Sequence, residues 1–304
     1  SAVIWTDVVQ MFVYIAGAGT VAYALLGQIP GGWAEVVRAG SAAGKFTVLD
    51  FSTNPSTVYT IWTGLFGGVA LTLATHGTDQ FLVQRLLAAT SARAAATGLV
   101  LSGAVVFAQF ILFLLIGIML YTFHLHVPLA EPLARTDQVL PHFVVNYLPS
   151  GVAGFIVAAI VAAALSPSLN AMAATTINDF YKPRARGPVD EASLLTLSRR
   201  ITIGWGVVQI AVALGAEFMA RSVLDAGLSV LSLASGAVLG AFIMATSMPS
   251  VGEREAWAGM IVGLAAMLAV WGLTTVAFTW YVFIGAATTI ATAWTLSRVR
   301  TVSA

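Results

Sequence analysis

Residues 98–123 read GLVLSGAVVFAQFILFLLIGIMLYTF, an apolar run without a single charged side chain. A run of this length can cross the hydrocarbon core of a bilayer as one helix, which needs about 20 apolar residues. Further runs of spanning length lie at 3–27, 58–78, 150–178, 199–220, 226–248, 256–276 and 278–297. Helices fit them, because an open sheet would leave backbone groups unpaired in lipid and the runs lack the alternation of a barrel. The sequence therefore predicts an all-α, polytopic membrane protein with about eight transmembrane helices.

The composition also indicates a chain that lies mostly in lipid. Of its 304 residues, 59% are hydrophobic and only 9% are charged, which is too little charge for the surface of a water-soluble domain. A net charge of +1 without a basic cluster argues against a nucleic-acid partner. The absence of cysteine excludes thiolate sites, and four His without a ligand-spaced pair argue against a structural metal. We expect no organic cofactor and no obligate protein partner, and the bilayer is the predicted surrounding.

The distribution of Lys and Arg predicts the orientation. If the N-terminus is cytoplasmic, few of the 14 basic residues lie on the outer side. The outer ones are Arg38, Lys45, Arg135 and Arg221. The positive-inside rule therefore favours a plasma or inner membrane protein with both ends of this chain in the cytoplasm.

The order of the runs predicts one transmembrane domain over residues 1–304. The two longest connections, 28–57 and 124–149, would face outward, and we expect short helices in them. The chain enters its first apolar run at Ser1, without an initiator Met or the basic region of a signal peptide. We therefore expect an N-terminally truncated piece of a longer protein.

Acidic residues within the runs are few, and a charge at the centre of a membrane helix costs about 2.5 to 3.5 kcal/mol. Asp7 lies about one turn into the first run. It is either an interfacial carboxylate that reaches the membrane edge or a ligand for a cation or a proton. Glu217 and Arg221, near the end of the fifth run, are better explained as an interfacial i,i+4 pair.

The second run ends in polar residues where a lipid-facing helix would be apolar. Gly67, Gly68 and Gly77 permit close approach or local unwinding, and transporters place their solutes at interrupted helices. The candidate solute-binding and gating residues are Thr72, Thr75, His76 and Gln80. For His76 a packing role with satisfied hydrogen bonds is an equally good interpretation.

The fourth run carries small and polar residues at helical spacing. Ala159, Ala163, Ser166 and Asn170 form one stripe, so this helix is predicted to pack inside the bundle against the first run. Pro167 frees a backbone carbonyl in the same region. The oxygens of Ser166, Ser168 and Asn170 suit an alkali cation. The other interpretation is hydrogen bonding between helices.

Three stretches resemble the sodium:solute symporter family, which includes sodium-coupled glucose, proline and sialic acid carriers. They are Ala2–Gln10 (AVIWTDVVQ), Gly77–Gln80 (GTDQ) with Val83–Arg85 (VQR), and Asn170–Pro183, which ends in NDFYKP. The resemblance implies a leucine-transporter-like fold of two inverted five-helix repeats. This chain would hold the fifth core helix, the second repeat and two peripheral helices. The first four core helices would be absent.

The resemblance also implies where cations bind. The usual sodium site of the family uses two adjacent hydroxyls of the eighth core helix, and Ala163 and Ala164 stand at those positions here. A second site, built from an acid on the fifth core helix and hydroxyls of the eighth, matches Asp7 and Ser166, with Pro167 in place of a usual Ser. Coupling by Na+ at Asp7 and Ser166, or by H+ on Asp7, is therefore expected.

The solute positions of sugar carriers are not retained. By the same resemblance, a sugar-contact position and a gate position fall on Thr72 and Thr75, and a lysine position becomes Val106. A typical sugar site is not evident.

The predicted function is secondary active import of a small polar solute by cation symport with alternating access. The solute is a sugar, an organic anion or an amino-acid-like compound. A proton-coupled or uncoupled relative is the alternative. An intramembrane enzyme is disfavoured because the sequence has no His and Glu residues at the spacing of a metal site and no Lys within an apolar run. A channel is disfavoured because the sequence has no loop that would stack backbone carbonyls as an ion filter.

Overall fold

A computed structural model describes residues 2–129, 131–164, 168–185, 190–216 and 222–302, and no strand occurs in these ranges. The α-helices are α1 (Ala2–Gln28), α2 (Gly32–Ala42), α3 (Val69–Thr78), α4 (Gln80–Leu87), α5 (Ala92–His126), α6 (Val139–Tyr147), α7 (Ser150–Ala164), α8 (Ser168–Thr175), α9 (Glu191–Ala216), α10 (Val223–Ser247), α11 (Glu253–Leu273) and α12 (Tyr281–Val302). The all-α prediction is confirmed.

Six of the predicted spans are single helices that are long and apolar enough to cross a membrane, among the residues described. They contain α1, α5, α9, α10, α11 and α12. The other two are divided. The second run contains a π-helical segment, Thr63–Gly68, directly before α3. The fourth run contains α7 and α8 and ends within a second π-helical segment, Thr176–Tyr181.

The two long connections carry short helices, as predicted. The first contains α2, which follows a turn at Gly31 and Gly32 with φ of 84° and 55°, a conformation that glycine adopts without strain. The second contains a 3₁₀ turn, Thr136–Gln138, and α6. The side of the membrane on which they lie stays a prediction.

Backbone contacts divide the chain into two compact units, Ser1–Phe46 with Leu99–Val223 and Thr47–Gly98 with Leu224–Ala304. In the first unit, α1 packs along α7, and the end of α5 packs with α6 in one apolar cluster. Leu25, Val36, Phe123 and Phe143 of this cluster are at most 2% exposed. The prediction that the fourth run packs against the first is confirmed for α7.

An ion-pair cluster joins α2 to the end of α5. Glu35 accepts from Arg38 at 2.7 Å and is 3.1 Å from Nε2 of His126. The hydrogen bond from the guanidinium of Arg38 is the main cause that lowers the pKa of Glu35 to about 2, and it outweighs burial, which raises this pKa. The contact with His126 lowers the pKa further. The carboxylate therefore stays charged over the whole physiological range.

The second unit depends on close packing between α11 and α12. A Cβ at Gly259 would lie 2.5 Å from the carbonyl oxygen of Thr289, and one at Gly263 would overlap the hydroxyl of the same threonine. Such contacts are typical of membrane helices, where small residues let backbones approach. At the ends of these two helices Arg300 donates to the buried carboxylate of Glu255 at 2.8 Å.

Candidate functional site

The π-helical segment Thr63–Gly68 interrupts the second predicted span. Its sequence, TGLFGG, has three glycines that tolerate the widened turn, and π-helical turns recur at functional sites. Thr63 is 2% exposed, and its hydroxyl donates towards the carbonyl oxygens of Val58 at 3.0 Å and Thr60 at 2.9 Å. The start of the segment is therefore anchored to the chain that precedes it.

The π-helical segment is also in contact with Thr279. Gly67 lies so close to Thr279 that a Cβ would overlap the Thr279 carbonyl oxygen. The Thr279 hydroxyl donates to the carbonyl oxygen of Val58 at 3.0 Å, the same oxygen that Thr63 approaches. The interruption is thus fixed by tertiary contacts within the second unit, and the predicted close approach at Gly67 and Gly68 is confirmed for Gly67.

A cavity of about 240 Å³ adjoins the π-helical segment. Its wall includes Thr60, Thr63, Gly67, Leu71 and Ser232 of α10, which is 1% exposed. Solute pockets commonly measure about 300 to 1,000 Å³, so this cavity alone is smaller than a usual binding site.

The predicted solute residues lie just beyond the interruption. Thr72, Thr75 and His76 are brought together on α3, where Nδ1 of His76 is 3.2 Å from the Thr72 carbonyl and 3.1 Å from the Thr75 hydroxyl. Nδ1 of His76 therefore has two polar neighbours from its own helix. His76 and Thr75 are half-buried, and Thr72 is exposed. The histidine thus has local partners, which agrees with the packing interpretation.

Gln80 begins α4, directly after the extended residue Asp79 that ends α3. The side chain of Gln80 lies outside the described residues. The family-like stretch from Gly77 to Arg85 therefore spans a break between two helices.

The predicted cation residues are described only through their backbone, or not at all. Asp7 lies in α1, Ala163 and Ala164 end α7, and Ser168 and Asn170 lie in α8. Ser166 and Pro167, like the predicted pair of Glu217 and Arg221, lie outside the described residues, as do the side chains of Asp7, Ser168 and Asn170. The cation site stays a prediction.

The packing of α1 along α7 indicates which of their residues lie at the same level, and this matters for the predicted cation site. Gln28 donates to the carbonyl oxygen of Tyr147 at 3.4 Å, just before α7 begins, and the Cβ position of Gly17 is 3.8 Å from Ile156. The two helices are therefore antiparallel. Continued along both helices at equal rise per residue, this register brings the backbone of Asp7 level with the end of α7.

Several polar residues of the site were not found by sequence reasoning. The hydroxyls of Thr63 and Thr279 both donate to the Val58 carbonyl oxygen, and the Thr60 backbone N–H donates to the Thr63 hydroxyl. Only the close spacing of Thr60 and Thr63 is visible in the sequence. In the first unit, Nε1 of Trp205 on α9 donates to the Thr176 hydroxyl at 2.9 Å, at the start of the second π-helical segment.

Comparison with known proteins gives the family. A profile described as the sodium:solute symporter family matches residues 1–263. The human sodium/iodide cotransporter is 30% identical over 280 residues, which is 88% of this chain and 42% of that protein. Human sodium-coupled monocarboxylate transporter 1 is 30% identical over 275 residues, covering 88% of this chain and 44% of that protein. The chain thus spans less than half the length of these relatives.

A solved structure of a Na+-coupled sialic acid symporter, in a substrate-bound outward-open state, matches 98% of this chain and 62% of its own, with a TM-score of 0.79 and 25% identity. The predicted leucine-transporter-like fold is confirmed by this likeness. The proteins of the matched family are sodium-coupled transporters rather than enzymes, and the six long apolar helices fit a multi-pass membrane protein. The chain belongs to the sodium:solute symporter family.

Proposed function

We propose that the whole protein is a secondary active transporter of the cell membrane that imports a small polar solute by cation symport. The observation that carries the proposal is the likeness to the sialic acid symporter over nearly the whole chain, together with an interrupted helix in the second unit. Interrupted helices offer free backbone groups and helix ends to solutes and ions in this class of fold. Alternating access would then act on a site that these residues form in part.

The cation is proposed to bind at Asp7 and Ser166, as Na+ or as a proton on Asp7. Two features support this. The antiparallel register of α1 and α7 brings the backbone of Asp7 level with the end of α7. Ala163 and Ala164 have no side-chain oxygen, which weakens the case for the usual site. Ser168 and Asn170 are proposed as neighbouring ligands.

An uncoupled relative is the second candidate. The same two alanines favour it, because a site without hydroxyls holds Na+ weakly. Such a protein would equilibrate its solute across the membrane and would not concentrate it.

The proposed solute is a small organic anion, with sugars and amino-acid-like compounds as the other classes. The support is that two of these proteins are named for organic anions, monocarboxylate and sialic acid, and a third for the inorganic anion iodide. The hydroxyls of Thr72 and Thr75, the His76 ring and Gln80 are the proposed contacts. The proposed orientation has both ends of the chain in the cytoplasm, on the basis of the Lys and Arg distribution.

Uptake into proteoliposomes that contain the whole protein tests the function. Labelled monocarboxylate, sugar and amino acid are offered with an inward Na+ gradient, with choline in place of Na+, and at two pH values. We expect saturable accumulation of one solute class that needs an inward Na+ or H+ gradient. Equilibration without accumulation would indicate the uncoupled relative. An unsaturable ion current without any solute would contradict transport.

A further inference from the structure

A groove in the first unit lies between the second π-helical segment and the start of α9. Its volume is about 670 Å³, and it is open along one side. Apolar and polar side chains share its lining. One side carries Ile177, Asn178 and Lys182, and the other carries Leu194, Leu195 and Ser198 of α9.

Two contacts fix how the two sides of the groove run. Nε1 of Trp205 on α9 donates to the Thr176 hydroxyl at 2.9 Å. The side-chain amide of Gln209, four residues further along α9, donates to the sulfur of Met172, four residues before Thr176, at 3.7 Å. The two sides are therefore antiparallel.

Two basic side chains flank the groove at the end near the loop that joins its sides. Continued towards this loop, the antiparallel register brings Lys182 roughly level with Arg199. Arg199 follows the groove residue Leu195 by four positions, so the two lie on the same side of α9. Arg200 follows the groove residue Ser198 by two positions and lies on another side of the helix.

This end of the groove lies at the edge of the membrane. The part of α9 that is long and apolar enough to cross a bilayer is Ser193–Gly215, so Leu194 and Leu195 belong to its first turn. Leu195 is 56% exposed although it belongs to the apolar span. The groove therefore joins a polar end at the level of lipid headgroups to an apolar wall at the level of acyl chains.

The positive charge at this end is not neutralised within the described part of the chain, where Lys182 and Arg199 form no ion pair. The described carboxylates nearest in the sequence, Asp179 and Asp190, are not part of the lining. Asp190 accepts from the backbone N–H of Ser193 at 3.3 Å, at the start of α9. The charge is thus available to an anion.

We propose that this groove binds one anionic phospholipid. Its phosphate would accept from Lys182 and Arg199, with the amide of Asn178 and the hydroxyl of Ser198 as further donors. One acyl chain would cover Leu195. Basic pockets between membrane helices on the cytoplasmic side bind anionic headgroups, and the proposed orientation has this end of the groove in the cytoplasm.

A lipid explains the whole lining, whereas a free phosphate would leave the apolar wall uncovered. The lipid would hold the end of the fourth run to α9 on the membrane edge. This binding does not depend on which solute the protein carries.

Binding of a fluorescent short-chain phosphatidylglycerol to the whole protein, purified in detergent and stripped of lipid, tests the site. We expect saturable binding, with phosphatidylcholine of the same chain length bound more weakly. Lys182→Gln and Arg199→Gln should each weaken phosphatidylglycerol binding about fivefold, which corresponds to about 1 kcal/mol for a basic side chain near an anionic surface. Arg200→Gln is the matched control and should keep the affinity of the wild type.

A further variant separates the acyl chain from the charge. Ala174 also lines the groove and is exposed, so Ala174→Phe would fill the apolar part and keep both basic side chains. It should weaken phosphatidylglycerol binding and leave the Tm of the lipid-free protein unchanged. Excess inorganic phosphate should not displace the lipid.

Several results would overturn the proposal. They are equal binding of the two lipids, wild-type affinity in the Lys182 variant, an equal loss in the Arg200 variant, or displacement by inorganic phosphate, which would indicate a site for a small anion. Should a variant fail to fold, crosslinking of the wild type with a photoactivatable phosphatidylglycerol decides the matter. Adducts on peptides from residues 174–198 support the site, and adducts only elsewhere refute it.

Discussion

Asp7 is the acidic residue whose chemistry matters most for the proposed function. It lies within α1, on a helix of the first unit whose antiparallel neighbour is α7. A carboxylate in a membrane helix is expensive unless it binds a cation or a proton or reaches the interface. We propose the first of these for Asp7.

We expect Asp7→Asn to abolish gradient-driven accumulation while solute exchange continues. The change removes one charge and keeps the size of the side chain, so it should uncouple the protein without unfolding it. Uptake and counterflow in proteoliposomes measure the two activities. Asp50→Asn, which keeps the oxygen that accepts from the Ser52 backbone N–H in an exposed loop, is the control and should behave as wild type. Wild-type accumulation by Asp7→Asn would show that Asp7 is interfacial.

At the scale of single elements, the π-helical segment Thr63–Gly68 shows how tertiary contacts shape a helix. Its glycines permit a wide turn. The contact that requires a glycine is made by Gly67 with Thr279, which is far away in the sequence. Gly67 has the Thr279 carbonyl against it, whereas a Cβ at Gly64 would meet nothing within 4 Å. The two glycines therefore have different roles in one segment.

We expect Gly67→Ala to destabilise the protein by about 1 to 3 kcal/mol, the usual cost of overpacking, and to reduce solute uptake. The added methyl group would overlap a backbone carbonyl, which cannot move aside as a flexible side chain could. Gly64→Ala is the matched control and should leave both properties near wild type. Tm and initial uptake rate are the measurements. Equal effects of the two variants would show that the close contact is unimportant.

The contact between α11 and α12 gives a second test of the same kind. Gly263→Ala would place a methyl group on the hydroxyl of Thr289, a residue with no exposed surface, and we expect a loss of about 1 to 3 kcal/mol. Gly272→Ala, on the same helix with open space around it, should be neutral or slightly stabilising, because alanine favours helix by about 1 kcal/mol over glycine. Denaturant unfolding in detergent compares them. A stable Gly263→Ala protein would contradict this packing.

For the whole molecule, the bilayer explains why so much of the fold could be predicted. Spanning segments must be long, apolar and helical, so the run at 98–123 alone indicates α5, and its bounds differ from Ala92–His126 by a few residues. The division of the run at 58–78 could not be predicted in detail. Its π-helical segment packs against the distant residue Thr279, and a single sequence does not show which distant backbone approaches a glycine.

The candidate sites were predictable to different degrees, because a single sequence shows neighbours on one helix but not contacts between distant helices. Thr72, Thr75 and His76 are neighbours on one helix, so their spacing sufficed to bring them together. His124 and His142 are distant in the sequence and have no ligand-like spacing, and only the packing of α5 against α6 joins them. Local patterns therefore sufficed to predict that Thr72, Thr75 and His76 lie together, and did not predict the contact between His124 and His142.

The coupling of solute uptake to a cation gradient is a property of the whole molecule. Substitutions at Ala163 and Ala164 test it. A well-placed oxygen ligand contributes about 1 to 3 kcal/mol, and 1.4 kcal/mol corresponds to a factor of ten in affinity. The double change Ala163→Ser and Ala164→Thr restores two hydroxyls at the usual sodium position of the family. We therefore expect the Na+ concentration for half-maximal uptake to fall at least tenfold relative to the wild type.

The measurement is uptake in proteoliposomes over a range of Na+ concentrations. Ala158→Ser adds one hydroxyl at an exposed position of the same helix and should leave the Na+ dependence unchanged. Combined with Asp7→Asn, the double change should restore part of the Na+-driven accumulation, because it supplies a site that does not need the acid. If the wild type already depends strongly on Na+ and neither Asp7 nor Ser166 matters, other oxygens fill the usual site. In that case the correspondence of Ala163 and Ala164 with the hydroxyl positions of the family is wrong.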